Sequence, residues 1–184
     1  MSEPVEPLAV AEARPDPVQI LIPSALGALG IDLVGEFISQ VVIVPRGRRR
    51  KLYRPLNTLK PRERSEFLDE VLGQFSEFLA GARRGIDIPY DLAGKELSPF
   101  AKRVLNETAR TGYGKTRTYQ QIASAVGDPE AYRKVLSVLV SNPIPLAVPC
   151  HRVVTTKAGE GSYVAGPKKK AWLLRMEARS ALVI

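Results

Sequence analysis

Cysteine and histidine are nearly absent from this chain, which holds one of each in 184 residues. A lone cysteine excludes an internal disulfide framework and suits a reducing compartment. One Cys and one His cannot assemble a Cys/His zinc site, so no metal is expected. Long apolar runs are also missing. The most hydrophobic segment, 18–44, is broken by Pro23, Asp32 and Glu36, which argues against a membrane span. No basic stretch leads into an apolar core near Met1, so no signal peptide is expected. Internal repeats and low-complexity tracts are lacking as well. What remains is an ordinary soluble composition, long enough for one domain or two small ones.

Acidic excess is absent too, and the net charge is +8. Residues 1–90 balance 12 Lys and Arg against 12 Asp and Glu, whereas residues 91–184 carry 15 against 7. The whole excess therefore lies in the second half. A basic half-chain suits a polyanionic partner such as nucleic acid, although a merely solvated surface has the same composition.

Taken in order, residues 1–17 are rich in proline and acid and read as a flexible leader. Residues Ile20 to Val44 mix β-branched residues with Gly and Pro, as short strands and turns do. Arg46 to Lys51 is a basic loop. From Pro61 an amphipathic helix is expected, with Phe67, Leu68, Val71, Leu72, Phe75, Phe78 and Leu79 on one face and Gly81 as its stop. Pro89 and Gly94 mark a boundary, giving an N-terminal α/β domain over 18–90 and a C-terminal domain over 91–184. There, Ser98-Pro99 opens a helix. Thr118 to Gln121 matches a capping box, and Asp128-Pro129 caps the next helix, with Ala131, Val135, Val138 and Leu139 inward. Two short helices joined by a tight Gly-containing turn read as a helix-turn-helix. Tyr132, Arg133 and Lys134 stand near the start of its second helix.

The two singletons fall side by side. Asn142-Pro-Ile-Pro-Leu-Ala-Val-Pro-Cys150-His151-Arg152 has no charge before Cys150 and three prolines that fix φ. Cys150 is therefore expected on a stiff extended segment, its thiolate favoured by the neighbouring imidazole and guanidinium. A last helix starts near Pro167 and carries Trp172, Leu173, Leu174 and Glu177. Glu177 has no cation three or four residues away, so it is expected to face inward toward His151. A carboxylate that holds an imidazole beside a thiol is the logic of an activated nucleophile, with a water bridging Cys150 and His151.

Pro149-Cys-His-Arg-Val-Val154 resembles the active-site signature of the O6-alkylguanine-DNA alkyltransferases, or methylated-DNA–protein-cysteine methyltransferases. Tyr113-Gly-Lys-Thr-Arg-Thr-Tyr119, Gly127-Asp-Pro129, Asn142-Pro-Ile-Pro145, Gly161-Ser-Tyr163 and Trp172 through Glu177 fall in the same order and spacing, covering about residues 95–178. The resemblance implies an α/β (α+β) fold, with a small ribonuclease-H-like N-terminal domain and a helical C-terminal domain. It implies a monomer that binds double-stranded DNA containing O6-alkylguanine and flips the damaged base into a pocket. By position Cys150 resembles the alkyl acceptor, and His151 and Glu177 its activating network, braced by Asn142. Arg133 resembles the finger that replaces the flipped base. Tyr119 resembles the residue that turns the phosphate and assists proton delivery. Tyr163 and Val153, with Val164 and Ala165, fall where the family has its pocket wall. No cofactor is implied, and a cytoplasmic, nucleoid-associated location is expected.

The chain departs from the family pattern in three places. Tyr132, Lys134 and Leu136 are bulkier than the small residues usual on the recognition helix. Val164 and Ala165 replace part of a glycine-rich pattern and are expected to narrow the pocket. Leu105 replaces a common tryptophan, as a core substitution. A lesion-binding sensor without chemistry and a transcription regulator are the other function classes, and neither needs Cys150 beside His151.

Overall fold

The computed structural model describes residues 18–44, 53–155 and 161–181. The expected leader and the basic loop Arg46 to Lys51 lie outside the described residues. Three strands, β1 (Val18–Ser24), β2 (Gly27–Val34) and β3 (Phe37–Val44), form consecutive antiparallel hairpins, and the short β4 (Arg54–Pro55) adds to β1 in parallel. The turns need left-handed backbone at Gly27 (φ 109°) and Gly35 (φ 56°), which glycine adopts without a Cβ clash. Alternation along the strands sends Ile20, Ile22, Leu29, Ile31 and Val41 into the main core. Leu21, Val44 and Tyr53 pack together in a smaller second cluster.

Helix α1 (Glu66–Leu79) starts five residues later than the expected Pro61. Residues Pro61–Glu63 form a separate 3₁₀ turn, and Ser65 caps α1 by accepting from the Leu68 amide at 3.1 Å. The cap and the acidic first turn, Glu66 and Asp69, explain the later start, because both stabilise orphan amides at a helix N-terminus. Leu68, Val71, Phe75, Phe78 and Leu79 are buried, whereas Phe67 and Leu72 are only half-buried.

In the second half α2 (Pro99–Ala109) is capped by Ser98 with proline at its first position. Strand β5 (Arg117–Thr118) leads into α3 (Tyr119–Ala125) through a complete capping box between Thr118 and Gln121. Asp128 makes no side-chain cap, contrary to expectation. The chain instead takes a 3₁₀ turn over Pro129–Ala131 before α4 (Tyr132–Val140). Ala131, Val135 and Leu139 are buried, whereas Val138 is only half-buried. Strand β6 (Val153–Val154) pairs in parallel with β5, and α5 (Pro167–Ala181) closes the described chain. Leu105 is buried in the core.

One core cluster runs from the sheet through α1 to α2, α3, α4 and Cys150. The edge of β3 is tied to the second half, since the Val41 amide donates to the Pro143 carbonyl at 2.8 Å. Among the described residues no helix is long and apolar enough to cross a membrane.

Candidate active site

The proline-rich segment delivers Cys150 by a different local structure from the one expected. Cys150–Arg152 is a 3₁₀ turn, not an extended strand. Pro149 takes φ −80° and ψ 61°, and the Arg152 amide donates back to its carbonyl at 2.9 Å. Just upstream, Leu146 holds φ 80°, a left-handed conformation that disfavours a branched side chain. Its burial and the Val148-to-Ile144 backbone bond, 2.9 Å, enclose that turn. Strain of about 1–3 kcal/mol at such a residue persists only when the surroundings over-determine it.

Asn142 ties both ends of this segment together. Its Nδ2 donates to the Val148 carbonyl at 3.0 Å and to Cys150 Sγ at 3.1 Å, while its Oδ1 accepts from the Ile144 amide at 3.1 Å. Cys150 is only 2% exposed. Burial pushes its thiol up to about 11, against the opposing effects of the Asn142 bond and the Lys170 charge. The expectation that adjacent imidazole and guanidinium groups favour the thiolate is therefore corrected. Both of those groups are engaged elsewhere, and the apolar surroundings disfavour the charged sulfur.

His151 and Arg152 both turn to Glu177 on α5. His151 Nε2 lies 2.8 Å from Glu177 Oε1, and the Arg152 guanidinium reaches both carboxylate oxygens at 2.9–3.1 Å. The Gly114 amide adds a fourth donor at 3.0 Å. Burial alone would raise the Glu177 carboxyl, but bonds from His151 and Arg152 override it and hold it below its ordinary value. Burial lowers His151, and Glu177 only partly offsets that. An anionic carboxylate facing a neutral imidazole makes Nε2 the donor and leaves Nδ1 an acceptor, buried and without a partner among the described residues.

Sequence reasoning gave one member of this centre, Arg152, a different role and missed another, Lys170. Arg152 supplies the cation that Glu177 lacks at three- or four-residue spacing on its own helix, and it also donates to the Thr111 and Arg84 carbonyls. Lys170 is fully buried, with its Nζ bonded to the carbonyls of Val153 and Ser162 and to Tyr119 Oη. Burial pulls its ammonium down to about 8, opposed by Cys150. A signal for Lys170 was present: it shares one helical face with Leu173 and Glu177 at spacings of three and four.

The remaining expected residues separate into two groups. Tyr119, Val153 and Tyr163 are buried around the same centre, with the Tyr163 ring edge-on to His151 at 6.3 Å. Tyr119 donates to the Ser162 carbonyl at 3.2 Å, and its hydroxyl is pushed up to about 12, first by burial and then by Cys150. It was expected both at the DNA and in the proton path, and it is 7% exposed. Tyr132, Arg133 and Lys134 are exposed on α4, outside the buried cluster. Val164 is 40% exposed and lines, with Asn142, Pro143 and Gln40, a cavity of about 490 Å³ at the edge of β3. Ala165 is half-buried.

Residues 99–179 match the DNA-binding domain model of 6-O-methylguanine DNA methyltransferase. A methylated-DNA–protein-cysteine methyltransferase from Methanosarcina acetivorans is 36% identical over 115 residues, 62% of this chain and 72% of that protein. The chain belongs to the methylated-DNA–protein-cysteine methyltransferase family. A probable member from Acanthamoeba polyphaga mimivirus is 43% identical over 83 residues, 45% of this chain and about half (55%) of that protein's length. The fold is also similar to the OGT protein of Mycobacterium tuberculosis in complex with DNA. There the TM-score is 0.74 at 27% identity, over 88% of this chain and 93% of the other. The family assignment accounts for the mixed α and β architecture with a small sheet and five helices among the described residues.

Proposed function

We propose that this chain repairs DNA by taking the alkyl group of O6-alkylguanine onto Cys150 irreversibly. The observation that carries the reading is the Asn142 amide at 3.1 Å from Cys150 Sγ, beside the His151–Glu177 pair. In this reading Cys150 is the nucleophile and Asn142 positions its sulfur. A thiol at about 11 leaves only roughly one molecule in 3,000 ionised near pH 7.5, so attack needs a proton acceptor. His151 Nδ1 takes the thiol proton through a water, with Glu177 and Arg152 holding the ring. The sulfur attacks the alkyl carbon in line, the carbon–O6 bond breaks with its electron pair on guanine, and guanine gains a proton. Tyr119 and Lys170 lie where that proton can be relayed, and one proton lost from sulfur balances one gained by guanine. The thioether product has no good leaving group, so each molecule acts once.

In the same reading the partner is double-stranded DNA, with the lesion flipped out because a buried thiol cannot reach a stacked base. Helices α3 and α4 act as a helix-turn-helix, Arg133 fills the vacated space, and Tyr132 and Lys134 border the duplex. The sheet with α1 is a ribonuclease-H-like unit, 18–90, supporting the acceptor unit, 91–184. Tyr163, Val153, Val164 and Ala165 wall the pocket and narrow it toward small alkyl groups. The protein works as a cytoplasmic, nucleoid-associated monomer.

The test mixes the protein with a duplex carrying one labelled O6-methylguanine and follows the label by mass spectrometry. Label on the Cys150 peptide rising to one equivalent and stopping is the expected result, with none on Cys150→Ala. Tight binding without transfer would overturn the repair reading in favour of a lesion sensor.

A further inference from the structure

Helix α4 exposes an unusual first turn. Tyr132 is its first residue and is 38% exposed, and the Arg133 guanidinium lies over the Tyr132 ring, 5.1 Å from its centroid. Leu136, half-buried, and Val140, 42% exposed, follow Tyr132 at four-residue steps, so the ring heads an apolar ridge. The exposed charges of α4, Arg133 and Lys134, are confined to that same turn. A free arginine side chain samples many rotamers, and ordering it on binding carries an entropic cost. Stacking on an adjacent aromatic face removes part of that cost beforehand, and cation–π attraction at an exposed site is modest but sufficient to bias the population.

We propose that Tyr132 is a positioning residue for Arg133, and that the two enter the duplex as a double wedge. The inference rests on the repair reading above. Arg133 takes the place of the extruded base, while the Tyr132 ring keeps the guanidinium aimed along the stack and packs against the neighbouring groove wall. Apolar and aromatic groups at such a turn match what minor-groove binders use to part base steps. Charge complementarity supports DNA as the occupant: Lys134 sits beside the pair, and the second half of the chain carries the entire positive excess. The bulk of Tyr132 is then a working part of the finger and no obstacle to docking.

The experiment measures single-turnover transfer to Cys150 from duplex O6-methylguanine and from the free modified base, for wild type, Tyr132→Ala and Tyr132→Phe. The expected result is a loss of about tenfold on the duplex for Tyr132→Ala, the scale of one aromatic stacking contact. The free base should react unchanged, and Tyr132→Phe should restore the duplex rate because it keeps the ring. A second readout, fluorescence of 2-aminopurine placed next to the lesion, should show less unstacking for Tyr132→Ala than for wild type. An unchanged or faster duplex rate for Tyr132→Ala overturns the inference. So does an equal loss on both substrates, which marks a damaged fold. Absence of transfer by the wild type from either substrate overturns the repair reading itself, and this inference with it.

Discussion

Two buried polar centres meet at the Cys150 turn, and they are built on opposite plans. Around Glu177 the charges are matched: one carboxylate receives His151, the forked Arg152 guanidinium and the Gly114 amide. Around Cys150 they are not. Burial pushes the thiol up to about 11 and pulls Lys170 down to about 8, so it works against the charged form of each, while Lys170 still keeps its proton near pH 7. A matched centre holds geometry; a mismatched one stores a proton that is ready to move. Two neighbouring groups displaced in opposite directions are the usual mark of acid–base work, and one of the pair here is the sole thiol.

The comparison breaks most visibly if Glu177 is removed. Glu177→Ala strands the Arg152 guanidinium in a site only 6% exposed, and loss of one partner from a buried pair costs about 3–5 kcal/mol. Urea unfolding should show that drop, and a loss under about 1 kcal/mol would mean the centre is not structural. Lys170→Met tests the other centre. It keeps a similar length without the charge that favours the thiolate, so alkyl transfer should slow by about tenfold or more. Titration of the Cys150 thiolate by its ultraviolet absorbance should shift upward in the same variant. An unchanged rate and titration would remove Lys170 from the chemistry.

The pH dependence of stability separates the centres further. His151 is held below 6.5 in the fold, so the unfolded chain binds more protons below that pH and stability falls as acid is added. Glu177, also depressed, extends the loss as pH falls below 4.5. On the alkaline side the Cys150 contribution is present below its ordinary value of 9.0 and is lost as pH rises toward about 11. Lys170 acts in the opposite sense, adding stability between about 8 and 10.5. Denaturation at stepped pH should therefore fall more steeply above pH 9 in Lys170→Met than in wild type. The smallest effect belongs to Tyr163→Phe. The Tyr163 hydroxyl is buried without a partner among the described residues, so its removal should leave stability unchanged or raise it slightly, by roughly 1 kcal/mol or less. A clear loss would reveal a hidden partner for that oxygen.

Local signals that act over a few residues were legible in the chain. The capping box at Thr118, the proline after Ser98 and the α1 stripe of Leu68, Val71, Phe75 and Phe78 all depend on neighbours within one or two turns. The inward direction of Glu177 was readable because its own helix offers it no cation three or four residues away. The start of α1 was misplaced because Pro61 is equally acceptable in a 3₁₀ turn, and only the Ser65 cap decides where the helix begins. Asp128 was misread for the same reason, since its φ of −137° and ψ of 78° leave its side chain without a capping bond.

The sequence by itself determined the single cysteine beside the single histidine, the placement of positive charge in the second half and the family to which the chain belongs. Only the tertiary structure decided how Cys150 is surrounded. Arg152 and Glu177 are 25 residues apart, and Lys170 meets Tyr119 across 51 residues. No local pattern encodes such pairings. They exist because the Cys150 turn, α3 and α5 bury their polar side chains in one place, where each must find a partner or give up its charge.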